Sequence, residues 1–120
     1  MPRPTVLLVD DHTSFRSLAA PILDAEGFEV VGEARDGESA LEAAVRLRPD
    51  LVLLDVQLPD IDGFEVARRL SRKTDHPPVI LTSSRSASDY GASIDQSAAL
   101  GFIPKDELSG AAVSELLASG

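Results

Sequence analysis

Polar residues stand at the points where four apolar runs of this chain end. The Asp10-Asp11 pair follows the run at residues 5–9, Asp55 follows residues 51–54, Ser83 follows residues 78–82 and Lys105 follows residues 101–104. Three carboxylates that meet in one place repel one another unless a cation neutralises them. Oxygen ligands favour Mg²⁺, Ca²⁺ or Mn²⁺, and Mg²⁺ would keep coordination positions for water and phosphate. The three aspartates therefore predict a divalent metal site.

An aspartate beside such a metal can also act as a nucleophile. Attack of Asp55 on phosphorus would give an acyl phosphate, with the metal screening the carboxylate from the incoming phosphoryl oxygens. Phosphoryl transfer depends on positioning and on charge stabilisation, so a cation and a hydroxyl donor should stand opposite the metal. Lys105 and Ser83 are the candidates for these two roles.

The elements that must position these residues alternate along the chain. The sequence predicts strands at residues 5–9, 28–34, 51–54, 78–82 and 101–104. Amphipathic spacing predicts helices at residues 14–25, 39–47, 64–72, 89–99 and 111–118, the first of them containing Pro21. This alternation is typical of five βα units, and ligand sites of open parallel sheets lie at the carboxyl ends of the strands. Gly63, in the segment after Asp55, is expected to shape that loop through its backbone freedom.

Composition limits the classes of protein that this chain can belong to. Its 120 residues fit one compact domain, predicted to span residues 1–120, with a core of aliphatic side chains. The net charge of −9 disfavours direct binding to nucleic acid or to an anionic membrane. The absence of cysteine excludes disulfides, thiolate catalysis and cysteine-bound zinc. No apolar run approaches the roughly 20 residues of a membrane span.

Four segments together resemble the receiver domain of bacterial response regulators. They are Val9-Asp10-Asp11-His12, the stretch from Leu54 to Pro59 with Asp62-Gly63, the hydroxyl at Ser83, and Gly101-Phe102-Ile103-Pro104-Lys105. Their order and spacing, rather than any single motif, carry the resemblance, which covers essentially the whole chain. It implies a single-domain α/β fold of the flavodoxin-like (βα)5 type, with a five-stranded parallel sheet of order 2-1-3-4-5 and helices on both faces.

The resemblance also implies roles for the acidic residues and the lysine. Asp55 would be the phosphoacceptor, and Mg²⁺ would be held by Asp10, Asp11, Asp55 and the backbone carbonyl of Gln57. Lys105 would pair with the phosphoryl group. His12 is left out of the site, because a lone histidine beside aspartates is more often a solvated or hydrogen-bonded neighbour.

A switch pair is implied as well, formed by Ser83 and Phe102. In the family the hydroxyl moves toward the phosphoryl oxygens, the aromatic ring turns into the vacated space, and the face of the fourth helix, fifth strand and fifth helix is reshaped. Ser83 is favoured over Thr82 because it stands five residues after Pro78 and twenty-two before Lys105, although Thr82 stays open. Many members have proline after the lysine, whereas Asp106 follows here, as in receivers joined to helix-turn-helix output domains, which this chain also resembles.

The implied function is a phosphorylation-dependent switch of a two-component phosphorelay in the cytoplasm. Its partner would be a sensor histidine kinase or a histidine phosphotransfer protein, with an output domain in a longer chain and homodimerisation on phosphorylation both left open. Binding by this domain to nucleic acid or membrane is not expected. The chain would not be an enzyme beyond promoting its own phosphorylation and slow dephosphorylation.

Three other functions fit the residues less well. A receiver-like module that binds partners without phosphorylation would be expected to have lost an acidic residue, the acceptor or the lysine, and all are present. An aspartate-based phosphatase would need an acid two residues after the nucleophile, where Gln57 stands. A flavodoxin-like cofactor protein would need a phosphate loop after the first strand, and Asp10-Asp11-His12 would repel an anion.

Overall fold

The computed structural model describes residues 3–119, in which five parallel strands lie between two layers of helices. The strands are β1 (Thr5–Val9), β2 (Glu29–Ala34), β3 (Leu51–Asp55), β4 (Val79–Ser83) and β5 (Gly101–Pro104), in the order β2-β1-β3-β4-β5. The α-helices of the described part are α1 (Thr13–Ala25), α2 (Gly37–Leu47), α3 (Gly63–Ser71) and α4 (Gly110–Ser119). Two 3₁₀ segments, Ala87–Ser93 and Lys105–Glu107, flank β5. The predicted fold class, strand order and placement of helices on both faces are confirmed.

Each face of the sheet carries its own hydrophobic cluster. Side chains of α2 and α3 pack on one face against alternate residues such as Leu54 and Leu81. Side chains of α1 and α4 pack on the other face, against Leu53 and Ile80. Strands β3 and β4 are buried along their whole length, which explains why their sequences are apolar at consecutive positions. The polar residues at the ends of these strands are thereby held on a rigid frame.

The predicted helix at residues 89–99 is wrong, while the other predicted elements match within two residues at each end. The structure has the 3₁₀ segment Ala87–Ser93 there, followed by turns and bends. Gly91 breaks the segment with a positive φ of 58°. No residue from 84 to 99 is buried, so no packed apolar face stabilises an α-helix at this point.

Helix α1 continues through Pro21, as predicted. Phe15, Ala19 and Leu23 anchor it to the sheet, whereas Pro21 lies on the exposed side. The carbonyl that loses its helical donor to this proline can therefore be satisfied by water. Packing of the inner face outweighs the local cost of the proline.

The sequence also predicted the boundaries of the domain and the absence of a membrane-spanning segment. The predicted domain of residues 1–120 includes Met1, Pro2 and Gly120, which lie outside the described residues. Within residues 3–119, no helix combines the length and the apolar character needed to cross a bilayer.

Candidate functional site

An acidic cluster lies at the carboxyl ends of β1 and β3. The side chains of Asp10 and Asp55 are buried, with 0% and 2% of their surface exposed, whereas Asp11 and His12 are exposed. One potential ligand atom from each of these four residues lies within 4.8 Å of the others. Since β1 and β3 are hydrogen-bonded neighbours, their ends bring the carboxylates together without help from a flexible loop.

Lys105 brings a positive charge to this cluster from the end of β5. Its Nζ atom lies 2.7 Å from Asp10 Oδ2 and donates a hydrogen bond of 3.3 Å to Asp55 Oδ2. The same ammonium lies 4.7 Å from the centre of the Phe15 ring, a cation–π distance. The lysine therefore bridges the two buried carboxylates and is itself held by α1.

The cluster shifts the pKa of both partners. Burial raises the pKa of the Asp55 carboxyl, the charge of Asp10 raises it further, and Lys105 only partly opposes these effects. Burial disfavours the charged form of Lys105, but its contacts with Asp10 and Asp55 outweigh that effect and raise its pKa. One ammonium thus leaves the carboxylates incompletely compensated, and a second cation would be favourable.

The donor set fits Mg²⁺. Asp10 Oδ2 is fully buried and accepts no well-aligned hydrogen bond within residues 3–119, despite its short distance to the ammonium. A buried carboxylate oxygen that faces only the Lys105 ammonium, next to two further carboxylates, is suited to a hard cation that prefers oxygen ligands. The backbone N–H of Gln57 donates to Asp55 Oδ1 at 3.2 Å, while a metal contact of the Gln57 carbonyl stays a prediction.

His12 is an exposed, hydrogen-bonded neighbour of the cluster, as expected for a histidine beside aspartates. Its Nδ1 atom is 3.1 Å from Asp10 Oδ1 and 3.0 Å from Asp11 Oδ1, and its backbone N–H donates to Asp10 Oδ1 at 2.8 Å. The imidazole thus contacts the same carboxylates that were predicted to hold the metal. Adjacency to Asp10-Asp11 was a signal for this contact in the sequence.

The loop after Asp55 is fixed by a close approach at Gly63. A β-carbon at this position would lie 2.5 Å from the carbonyl oxygen of Asp55 and 2.8 Å from Val56 Cα. The N–H of Gly63 donates to the carbonyl of Val56 at 2.7 Å. The φ angle of Gly63 is not positive, so its backbone conformation does not require glycine. The expected reason for this glycine, backbone freedom, is therefore wrong. Glycine is needed because the start of α3 touches the backbone of Asp55.

A carboxylate of this loop also ties it to α2. Asp60 accepts hydrogen bonds from the backbone N–H groups of Gly37, at 2.7 Å, and Glu38, at 2.9 Å. Although desolvation opposes the change, these bonds lower the pKa of the Asp60 carboxyl. The first N–H groups of a helix have no helical acceptors, so Asp60 supplies one from outside. The segment that follows Asp55 is thereby held at both ends.

Ser83 ends β4 with its hydroxyl already engaged. Its Oγ atom lies 2.5 Å from the hydroxyl of Tyr90 and accepts a hydrogen bond of 3.0 Å from the N–H of Arg85. The Tyr90 ring packs edge-on against Phe102, at 5.9 Å between ring centres. Within residues 3–119, no hydrogen bond joins Ser83 to Asp55 or Lys105. The structure thus brings the two predicted switch residues together through a third residue, Tyr90.

Thr82, the alternative to Ser83, is placed differently. It pairs in register with Asp55 across β3 and β4, and its side chain is almost fully buried. Its hydroxyl has no hydrogen-bond partner within the described residues. The choice of Ser83 over Thr82 stays a prediction.

Sequence reasoning missed Tyr90 and Asp60. Tyr90 lies in the segment that was predicted as a helix, where its position relative to Ser83 could not be obtained from helical spacing. The sequence did not indicate a role for Asp60, because its hydrogen-bond partners, the first N–H groups of α2, lie more than twenty residues away in the chain.

Comparison with known proteins gives one family. Residues 6–116 match the family described as the response regulator receiver domain. The chain is 35% identical over 113 residues to the response regulator GacA of Pseudomonas aeruginosa, a match that covers 93% of this chain and 51% of GacA. Among solved structures, the signal receiver domain of NarL from Mycobacterium tuberculosis superposes with a TM-score of 0.88 and 32% identity, covering 99% of this chain and 97% of that one.

A further relative differs from GacA in its name and in the share of its length that this chain covers. The chain is 36% identical over 108 residues to a protein-glutamate methylesterase/protein-glutamine glutaminase of Nocardioides sp., covering 88% of this chain and 30% of that protein. The chain therefore spans about half the length of GacA and less than a third of the methylesterase.

Proposed function

This chain belongs to the response regulator receiver domain family, and we propose that it is a signalling switch that accepts a phosphoryl group on Asp55 in the presence of Mg²⁺. Members of the family act in phosphorylation-dependent signalling in two-component systems. The observation that carries the proposal is the meeting of Asp10, Asp55 and Lys105 at one sheet edge. A buried carboxylate with a raised pKa beside an incompletely compensated charge is typical of a functional site.

In the proposed reaction, a carboxylate oxygen of Asp55 forms a bond to phosphorus. The bond from phosphorus to the donor nitrogen of a phosphohistidine breaks, and its electron pair stays on the leaving imidazole. Lys105 would neutralise a phosphoryl oxygen, a role that the contact of its ammonium with Asp55 supports. Asp10, Asp11, Asp55 and the Gln57 carbonyl would hold Mg²⁺, which when bound supplies charge neutralisation of the phosphoryl oxygens.

The phosphoryl group then biases the switch pair. It adds roughly −1.5 to −2 charges and three strong acceptor oxygens, which can attract the Ser83 hydroxyl. Phe102 lies on the neighbouring strand, paired through Leu81, and can turn when that hydroxyl moves. The surface that would change consists of the segment Ala87–Ser93 with the turns after it, β5 and α4, which stand where the fourth predicted helix, fifth strand and fifth helix were expected.

The same proposal includes the partners of this switch and its location in the cell. The phosphoryl donor is a sensor histidine kinase or a histidine phosphotransfer protein in the cytoplasm, and residues 1–120 form the receiver domain. An output domain would lie in a longer chain, as the greater length of the relatives supports. The esterase activity in the name of one relative belongs to that protein, and this domain turns over no metabolite.

Thermal unfolding with Mg²⁺ and beryllofluoride, an unreactive analogue of the phosphoryl group, tests this proposal. A ligand at about 100 times its dissociation constant stabilises the folded state by about 2.7 kcal/mol. For a domain of this size, the wild-type Tm should therefore rise by about 10 °C. Neither component alone should give that rise, because the analogue needs both Asp55 and the metal.

Asp55→Asn provides the internal control. Because the pKa of Asp55 is raised in the folded state, its ionised form opposes folding, and this cost appears as the pH rises through that pKa. At pH 7 the unliganded variant should melt above the unliganded wild type, yet beryllofluoride added in the presence of Mg²⁺ should not raise its Tm beyond the value with Mg²⁺ alone. An equal rise in Tm for the variant would refute Asp55 as the acceptor.

A further inference from the structure

Tyr90 anchors residues 84–93, the first part of the segment that follows β4. Between residues 84 and 93, Tyr90 is partly buried and all the remaining residues are exposed. Its ring makes edge-on contacts with Phe64 of α3, at 5.7 Å, and with Phe102 of β5, at 5.9 Å. Its hydroxyl completes the anchor by contacting Ser83 at 2.5 Å. The position of Ala87–Ser93 therefore depends on one side chain.

A serine hydroxyl has a single proton, so Ser83 Oγ cannot donate a hydrogen bond to the Tyr90 hydroxyl and to a phosphoryl oxygen at the same time. In the structure it points to Tyr90 and Arg85, and no hydrogen bond within residues 3–119 joins it to Asp55 or Lys105. Serine side chains occupy discrete staggered rotamers. Donating that proton to a phosphoryl oxygen ends the hydrogen bond in which Ser83 donates to Tyr90, and a change of rotamer toward Asp55 would also lengthen the 2.5 Å contact with the Tyr90 hydroxyl.

From these contacts we propose that Tyr90 transmits the state of Asp55 to the Ala87–Ser93 segment by competing with the phosphoryl group for the Ser83 hydroxyl. The inference rests on the proposed phosphorylation of Asp55 and adds a residue to the Ser83–Phe102 pair. When Ser83 turns to the phosphoryl group, the Tyr90 hydroxyl loses its partner. A tyrosine hydroxyl without a partner favours water, so the ring leaves its site between Phe64 and Phe102.

The surroundings of Tyr90 allow this movement. Gly91, the next residue, has a positive φ of 58° and lacks a side chain that would resist rotation. A groove of about 390 Å³, lined by Phe64, Arg68 and Ser93 among others, separates α3 from the chain that follows Tyr90. The segment can therefore shift without displacing buried side chains.

The protein contains its own probe for this inference, because Tyr90 is its single tyrosine and it has no tryptophan. Tyrosine emission therefore reports the environment of one ring. Adding beryllofluoride with Mg²⁺ should change that emission in the wild type. In Ser83→Ala, the unliganded protein should already differ from the wild type, and beryllofluoride should change its emission little.

Tyr90→Phe separates the hydroxyl from the packing of the ring. Removing the competing hydrogen bond should raise the affinity for beryllofluoride about two- to tenfold, measured by titration of backbone amide signals in NMR spectra. In the Ser83→Ala background the same substitution should not change the affinity. A merely structural role would lower the Tm of Tyr90→Phe and leave the affinity unaltered.

Two outcomes overturn the inference in different ways. If beryllofluoride binds the wild type but Tyr90→Phe binds it with equal affinity, or the wild-type emission stays constant, the Tyr90 coupling is refuted and the proposed function stands. If beryllofluoride with Mg²⁺ fails to bind the wild type at all, the proposed function fails and the inference fails with it.

Discussion

Replacing Lys105 with methionine is expected to lower the free energy of unfolding by about 3 kcal/mol, the lower end of the range for removing one partner of a buried ion pair. The lower end applies because 14% of the lysine side chain is exposed. The substitution keeps an unbranched chain over the Phe15 ring but leaves the carboxylates of Asp10 and Asp55 without their cation. Urea unfolding at pH 7 measures the loss.

The electrostatic origin of that loss has a distinct signature. Removing Lys105 removes a charge that lowers the pKa of Asp55, so the carboxyl should take up its proton more readily. The deficit in stability should therefore shrink as the pH falls from 7 toward the usual pKa range of a carboxyl group. Millimolar Mg²⁺ should also stabilise Lys105→Met more than the wild type, because the metal replaces the missing charge.

Lys73→Met is the matched control for this prediction. Lys73 is exposed beyond the end of α3, and no ion pair within residues 3–119 includes it. Its replacement should change the free energy of unfolding by less than about 0.5 kcal/mol. Equal stability of the wild type and Lys105→Met at pH 7 would show that the lysine does not hold the acidic cluster together.

The second large effect is expected from Asp10→Asn. This substitution removes the buried carboxylate whose Oδ2 lacks an aligned hydrogen bond and replaces it with a neutral amide of similar shape. The affinity for Mg²⁺ should fall by at least about tenfold to a hundredfold. Replacing a residue that only orients a metal ligand has an effect of that size, and Asp10 would contact the metal itself. The rate of phosphorylation by acetyl phosphate at low Mg²⁺ should fall in proportion.

Saturating Mg²⁺ distinguishes a metal ligand from a structural residue in that experiment. If Asp10 holds the metal, excess Mg²⁺ should restore part of the lost rate, because Asp11 and Asp55 remain. Asp75→Asn, at an exposed loop position beyond the opposite end of the sheet, should behave like the wild type. An Asp10→Asn variant with unaltered Mg²⁺ dependence would remove Asp10 from the proposed site.

The sequence was sufficient to predict the sheet and the residues at its edge. Runs such as residues 51–54 are apolar at consecutive positions because β3 is buried on both faces, and that pattern does not depend on distant contacts. Parallel strands end at a common edge, so Asp10, Asp55 and Lys105 could be expected to meet. The structure brings these three together, while their roles in phosphoryl transfer stay predictions.

The parts that could not be predicted depend on contacts between distant residues. Helical spacing at residues 89–99 was misleading because Gly91 and the lack of buried side chains decide the conformation there. The contact of Tyr90 with Ser83 exists only in that non-helical conformation. The reason for Gly63 lay in its distance from the Asp55 backbone, which no local pattern records. Sequence patterns thus indicated the candidate reacting groups. They missed the contact of Ser83 with Tyr90, which lies in the exposed segment Ala87–Ser93.

Mass spectrometry of the wild-type protein after incubation with acetyl phosphate and Mg²⁺ tests the central claim most directly. The account predicts one phosphoryl adduct, located on Asp55 by peptide mapping after reductive trapping of the acyl phosphate. The adduct should be absent from Asp55→Asn and from a sample without Mg²⁺. An unmodified wild-type protein that also fails to accept a phosphoryl group from histidine kinases, or an adduct that persists in Asp55→Asn, would contradict the account.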